Sequence, residues 1–416
     1  MTTMTGGDEV IHQPGRDLRR FLVSIRRDRG GGSEYEAIMI HRFRVQNFKS
    51  MVDVTVDLTP VTVLVGRSGT GKSNFVHALR FLRDVLSSDE ALQQSWPRLR
   101  PALASDAPTT FFTEFSVAGV EGRFQYELSI NKTGPGHPPE NERLILGDEC
   151  LFHQQFIGNA GQVRWLVEPK LLQVPSAGAI ALGRIPSITE IVIAFTALTS
   201  GIGCYAFSDR VLSDARRENS TTRGLADDGA NFLDVVKEIV TNLQDLAIRK
   251  SIVAALRRVN PSISSVELND IRNPSGVVVG HRLDGKTLAL DLSQESDGFR
   301  RFFAHLLAIY QRPPRQTLIF EHPEDGIHPG ALSLLAEEFQ AAPEAGHGQV
   351  ILTTHSPQFL DHFDVDRIRV VELADLQTRI GPVSAEQQEA IRDRLLEPGE
   401  LLTVDPARMQ LEAAGA

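Results

Sequence analysis

Glycines followed by a lysine and a serine can hold a triphosphate, and Gly66-Arg67-Ser68-Gly69-Thr70-Gly71-Lys72-Ser73 has that form, with Asn74 next in line. Glycines let the backbone curl so that successive N–H groups face phosphate oxygens, and a helix N-terminus adds partial positive charge. In such a loop Lys72 reaches the β- and γ-phosphates and the Ser73 hydroxyl ligates Mg²⁺. The pattern carries weight only between a buried strand and a helix. Val61 to Val65 is a continuous apolar run, as a strand covered on both faces requires. Residues 74–87 read as a helix through Ala78, Leu79 and Phe81. These residues predict binding of a nucleoside triphosphate such as ATP, together with Mg²⁺.

Two more apolar runs end in groups that can do chemistry. Thr317-Leu318-Ile319-Phe320 stops at Glu321, and Gln349 to Thr353 stops at Thr354-His355. In an open parallel sheet the chemistry gathers at the carboxyl ends of strands. A carboxylate at Glu321 can hold Mg²⁺ on the side opposite Ser73. Taken alone, a glutamate there is more often an ordinary solvent-facing side chain, and a lone histidine such as His355 is too.

Several elements must position these groups. Ile40 to Phe48 and Val52 to Val56 alternate like strands. Phe111 to Val117 and Phe124 to Ile130 read as a hairpin around Gly119 and Gly122, with a Gly- and Pro-rich loop at 134–139. Ser187 to Leu198 reads as a helix with Ser187 and Glu190 at capping-box spacing. Asn231 to Val259 reads as helical with a break near Leu246. Val266 to Leu268, Val277 to Leu283, Leu288 to Leu292 and Ile368 to Val371 read as strands.

Composition narrows the class. Hydrophobic residues make up 41% and charged residues 23% of the 416, as in an ordinary globular protein. The apolar runs are too short for a membrane span, so no membrane partner is expected. Cys150 and Cys204 are the only cysteines, which argues against a disulfide framework and fits the cytoplasm. A net charge of −10 argues against a basic coat for nucleic acid but leaves a local basic groove open. Residues 1–37, rich in glycine and arginine, read as a flexible extension or a basic arm.

From Glu321 onward the chain resembles a known family. Glu321-His322-Pro323-Glu324-Asp325-Gly326-Ile327-His328-Pro329 is similar to the Walker B and D-loop segment of ATP-binding-cassette ATPases of the SMC/RecF/OLD type. Asn47-Phe48-Lys49-Ser50 is similar to that group's opening strand motif. Ser296-Asp297-Gly298 resembles its signature loop, Thr353-Thr354-His355-Ser356-Pro357 its switch-histidine loop, and Asp228-Gly229-Ala230-Asn231-Phe232 a helix start in its helical lobe. The set appears in the family's order from about Met39 to Val371. The resemblance implies an α/β fold, a P-loop NTPase of the ABC-ATPase head type. Its mixed or parallel sheet core would carry a β-hairpin subdomain and a helical lobe. It implies lobe I at 38–185, an inserted helical and β lobe at 186–290, lobe II at 291–383 and a tail at 384–416.

It further implies a homodimer. Ser296, Asp297 and Gly298 of each copy would cap the ATP held by the other's glycine loop, Glu321 would join Ser73 on Mg²⁺, and His355 would contact the γ-phosphate. After the Walker B acid the family places a glutamate that polarises the attacking water, whereas this chain has His322. Slow hydrolysis with long-lived ATP-bound dimers is therefore expected. The family's shell-completing glutamine has no clear counterpart, Gln125 being poorly placed inside the hairpin. DNA repair or anti-phage defence is the expected setting, with DNA and a separate effector or nuclease chain as expected partners. About sixty residues follow His355, too few for a fused nuclease domain. A nucleotide-gated binding module with little or no hydrolysis is the alternative.

Overall fold

Continuous apolar runs and alternating ones sort into different sheets. The computed structural model describes residues 38–88, 107–130, 140–157, 162–167, 180–185, 188–213, 224–268 and 275–410. In chain order, β1 (Ile38–Phe48) and β2 (Met51–Asp57) lead into β3 (Val61–Val65) and helix α1 (Lys72–Ser87). Next come β4 (Thr109–Val117), β5 (Phe124–Ile130), β6 (Asn141–Leu146), β7 (Glu149–Ile157) and β8 (Gln162–Val167). Helix α2 (Thr189–Leu198), β9 (Ile202–Tyr205) and the short α3 (Asp209–Leu212) follow. Helices α4 (Phe232–Thr241) and α5 (Leu246–Val259) precede β10 (Ile263–Leu268), β11 (Val277–Leu283) and β12 (Lys286–Asp291). Then come α6 (Asp297–Tyr310), β13 (Thr317–Glu321), α7 (Pro329–Glu344), β14 (Gln349–Thr353) and the short α8 (Pro357–Leu360). The chain continues through β15 (Ile368–Ala374), β16 (Gln377–Pro382) and α9 (Ala385–Arg392).

The central sheet has the order β16-β15-β3-β14-β13-β9. Its strands are parallel except β16, which runs antiparallel to β15, so the sheet is mixed. Strands β3 and β14 are buried at every position because both faces are covered. Leu64, Ile319 and Ile351 face α1, where they meet Phe75 and Leu79. Val63, Phe320 and Leu352 belong to the opposite cluster, with Phe303 of α6 and Phe339 of α7.

A seven-stranded antiparallel sheet, β2-β1-β4-β5-β6-β7-β8, covers the outer side of α1. Burial along β4 alternates residue by residue, which is the mark of one covered and one open face. Phe43 of β1 meets Phe75 of α1 edge-on at 5.6 Å, and Phe111 of β4 stacks on Phe81 at 5.5 Å. Helix α1 is thus fixed from both sides, and with it the loop at its N-terminus. A third sheet, β10-β11-β12, packs with α4 and α5 to form the helical and β lobe.

Two local expectations change, and others go untested. The Gly- and Pro-rich loop at 134–139, Ser187 and residues 1–37 lie outside the described residues. Helix α2 starts at Thr189 with an extended Ile188 as its N-cap, which leaves Glu190 in the first turn, where its charge faces the helix's positive end. Strand β9 was not expected. Only four residues long and holding Gly203, it carries too little apolar signal, yet it pairs with β13 and is fully buried.

Candidate functional site

Three neighbouring strands bring the singled-out groups to one edge of the central sheet. Strand β14 lies between β3 and β13, with Thr353 opposite Leu64 on one side and Glu321 on the other. The carboxyl end of β3 runs into Gly66–Ser73, that of β13 ends in Glu321-His322, and that of β14 leads to Thr354-His355.

The glycine loop is folded on itself. Lys72 is buried, and its Nζ donates to the carbonyls of Gly66 at 2.7 Å and Arg67 at 2.9 Å. Burial pushes its pKa down to about 8. Thr70 Oγ1 donates to the same Arg67 carbonyl at 2.9 Å. Arg67, Ser68 and Gly69 form the exposed crest, and Ser73 and Asn74 are partly exposed in the first turn of α1. Gly71, the residue before that turn, has φ 111°, and a Cβ there would stand 2.1 Å from Thr378 Oγ1. Only glycine satisfies both conditions. Thr378 reaches in from β16 and donates to the Thr70 carbonyl at 2.8 Å. Asn74 Nδ2 donates to Ser50 Oγ at 2.8 Å, which ties the helix start to the turn between β1 and β2.

Across the strand ends, His322 holds a left-handed backbone with φ 49°, strained for a non-glycine residue. Its N–H donates to the Thr353 carbonyl at 3.1 Å, and its ring stacks on His355 at 4.9 Å with the planes 10° apart. Burial lowers the His355 pKa, the neighbouring Lys72 and His322 lower it further, and Asp325 opposes them. Glu321 lies 3.4 Å from Arg80 Nη2, a cation that α1 presents alongside Asp227. Arg83, one turn on, grips Asp227 with both Nη atoms at 2.9 and 2.7 Å.

Ser296-Asp297-Gly298 packs against the segment that follows β13. Ser296 and Asp297 are exposed at the start of α6, with Ser296 Oγ accepting from the Phe299 N–H. A Cβ on Gly298 would meet the Gly326 carbonyl at 2.7 Å, so this loop presses against the segment after β13. Arg301 Nη1 secures the same contact by donating to the Asp325 carbonyl at 2.9 Å. Buried Arg300 fixes the loop from beneath, bonding Asp209 at 2.7 Å and Asp297 at 2.6 Å. Gln125 lies within β5 opposite Glu114, in the antiparallel sheet.

The sequence reading missed Thr378 and Arg80. Neither carries a local signal, because each acts on residues far away in the chain. Among the described residues no three His, Cys, Asp or Glu side chains gather as a metal cluster. No described helix is long and apolar enough to cross a membrane.

A family profile described as "AAA domain, putative AbiEii toxin, Type IV TA system" matches residues 61–361. The OLD nuclease of Thermus scotoductus is 21% identical over 351 residues, which cover 80% of this chain and 62% of that protein. The chain thus spans less than two thirds of that relative's length. An SMC head bound to the C-winged helix domain of ScpA superposes with a TM-score of 0.54 at 14% identity, covering 84% of this chain and 99% of that one. An SMC head with an extended coiled coil, bound to the C-terminal domain of ScpA derived from Pyrococcus furiosus, gives 0.50 at 12%, covering 86% and 99%. At such identities the likeness is one of fold, an α/β domain with a mixed sheet and helical lobes. The family match runs from β3 to just past His355, well over half of the sequence, and the chain therefore belongs to this AAA-domain family.

Proposed function

We propose that this chain binds ATP with Mg²⁺ at Gly66–Ser73 as a P-loop NTPase of the ABC-head type and hydrolyses it slowly. The observation that carries the reading is the adjacency of β3, β14 and β13, which aligns a glycine loop, a histidine and a carboxylate along one sheet edge. On this reading residues 38–185 and 291–383 are the two ATPase lobes around an inserted lobe at 186–290.

Each side chain then has a task. Lys72 leaves the Gly66 and Arg67 carbonyls for the β- and γ-phosphate oxygens, which accept a stronger, charge-assisted bond. The Ser73 hydroxyl and the Glu321 carboxylate are hard oxygen donors of the kind Mg²⁺ takes one or two at a time beside waters, so the residues fit the ion. Mg²⁺ would spread the charge that builds on the phosphates as the terminal phosphorus–oxygen bond breaks. His355, exposed beside Lys72, is the group for the terminal phosphate. No carboxylate follows Glu321 directly, and the His322 imidazole lacks a carboxylate's negative charge for polarising water. Ser296 and Gly298, at the start of α6 with Gly298 packed against the segment after β13, suit a second copy whose bound nucleotide they would cap.

The family description and the OLD relative both support a role in defence or on DNA. We place the chain there, with a separate effector or nuclease chain as partner. Steady-state ATP hydrolysis with and without DNA, beside Lys72→Ala, tests the reading. DNA-stimulated turnover lost in Lys72→Ala supports it. Turnover at the rate of a glutamate-bearing ATPase and unchanged by His322→Ala overturns the slow-hydrolysis claim. The second reading, a nucleotide-gated binding module, is favoured by His322 alone. Tight Mg-ATP binding with no turnover would select it.

A further inference from the structure

Glu324 reaches from the segment after β13 to the one after β14. Its Oε1 accepts from Thr354 Oγ1 at 2.7 Å and from the His355 N–H at 3.0 Å. Thr354 is fully buried, and its Oγ1 accepts from the Ser356 N–H at 3.0 Å. Ser356 Oγ in turn caps α8 by accepting from the Phe359 N–H at 3.2 Å. One carboxylate oxygen therefore holds Thr354 and His355 directly, and Ser356 through the Thr354 hydroxyl. The other oxygen, Oε2, is buried and makes no hydrogen bond. Both hydrogen bonds of the Glu324 carboxylate therefore fall on Oε1. All of its bonding goes into the histidine loop.

We infer that Glu324 is the positioning residue of His355, a role that rests on the proposed nucleotide reading only for its purpose. It holds the loop's backbone from one side while the His322 ring braces the imidazole from the other. The carbonyl oxygen of a glutamine can accept both bonds that Oε1 accepts, and alanine can accept neither. That difference separates positioning from proton transfer.

The test compares the full chain with Glu324→Ala and Glu324→Gln. Histidine-selective NMR follows the His355 ring signal through a pH titration, with His355→Ala identifying the signal. Lys72, His322 and Asp325 face this ring and stay in place. In Glu324→Ala the signal and its midpoint should move toward those of an ordinary histidine, and in Glu324→Gln they should stay near the native position. An unmoved signal in Glu324→Ala overturns the inference, with or without nucleotide. In ATP hydrolysis kcat should fall about 10–100-fold in Glu324→Ala with KM within about threefold, and Glu324→Gln should restore most of it. A Glu324→Gln as impaired as Glu324→Ala would make the carboxylate a base and overturn positioning. Loss of nucleotide affinity in Lys72→Ala is scored separately, so failure of the nucleotide reading is told apart.

Discussion

The two halves of the candidate site are built in opposite ways. The glycine-loop half is largely local: Lys72 bonds to carbonyls five and six residues back and Thr70 to one three residues back, while Thr378 of β16 reaches the loop from 308 residues away. The strand-end half is assembled across the sheet. Glu324 meets Thr354 and His355 at separations of 30 and 31 residues, and Arg80 meets Glu321 at 241. A local half keeps its shape as long as α1 is held. A cross-strand half depends on the register between β13 and β14, so small shifts there move the groups of the candidate site without unfolding anything. On the proposed reading, the first half stores charge for the nucleotide and the second aligns it.

Substitutions can break this division, beginning where the effect is largest. Gly71→Ala forces a Cβ into Thr378 at a backbone angle alanine rarely adopts. It should cost about 2–4 kcal/mol of stability and abolish nucleotide binding. A melting curve shows this, and an unchanged midpoint would mean that the loop is not locally rigid. On the other half, Thr354→Val removes a buried hydroxyl that both donates and accepts. A loss of about 1–3 kcal/mol is expected. Nucleotide affinity should stay near native while turnover falls, as parallel binding and rate measurements would show. An equal loss of affinity would erase the distinction between the halves.

A smaller effect follows from pH. The Lys72 pKa is pushed down to about 8 in the free protein, and a bound phosphate raises it by favouring the charged amine. Affinity should therefore be full below pH 8 and decline above it, by at most about tenfold per pH unit until the bound-state pKa is passed. Isothermal titration between pH 7 and 9 checks the sign, and affinity rising with pH would contradict it.

What could be read in the sequence follows the same division. The glycine loop was legible because a strand, a turn and a helix lie within 27 consecutive residues, Val61 to Ser87. Strands β13 and β14 were legible as unbroken apolar runs, and the polar residues at their ends were thus flagged as well. The part played by Glu324 was not legible, since it exists only once Glu321 stands opposite Thr353. Nothing in the sequence marks His322 as left-handed, because the stacked ring that the backbone serves lies 33 residues away on another strand. Thr378 was invisible for the same reason: a threonine on an edge strand matters only where it meets Gly71.

The central claim is that the buried Lys72 amine stands ready for a triphosphate. The direct measurement is the equilibrium affinity of a fluorescent ATP analogue, with Mg²⁺ present, for the native chain and for Lys72→Ala. The account predicts saturable binding to the native chain, weakened about 10–100-fold by the substitution, as fits the loss of one or two charge-assisted bonds. Equal affinity in both proteins, or no binding to either, would contradict it.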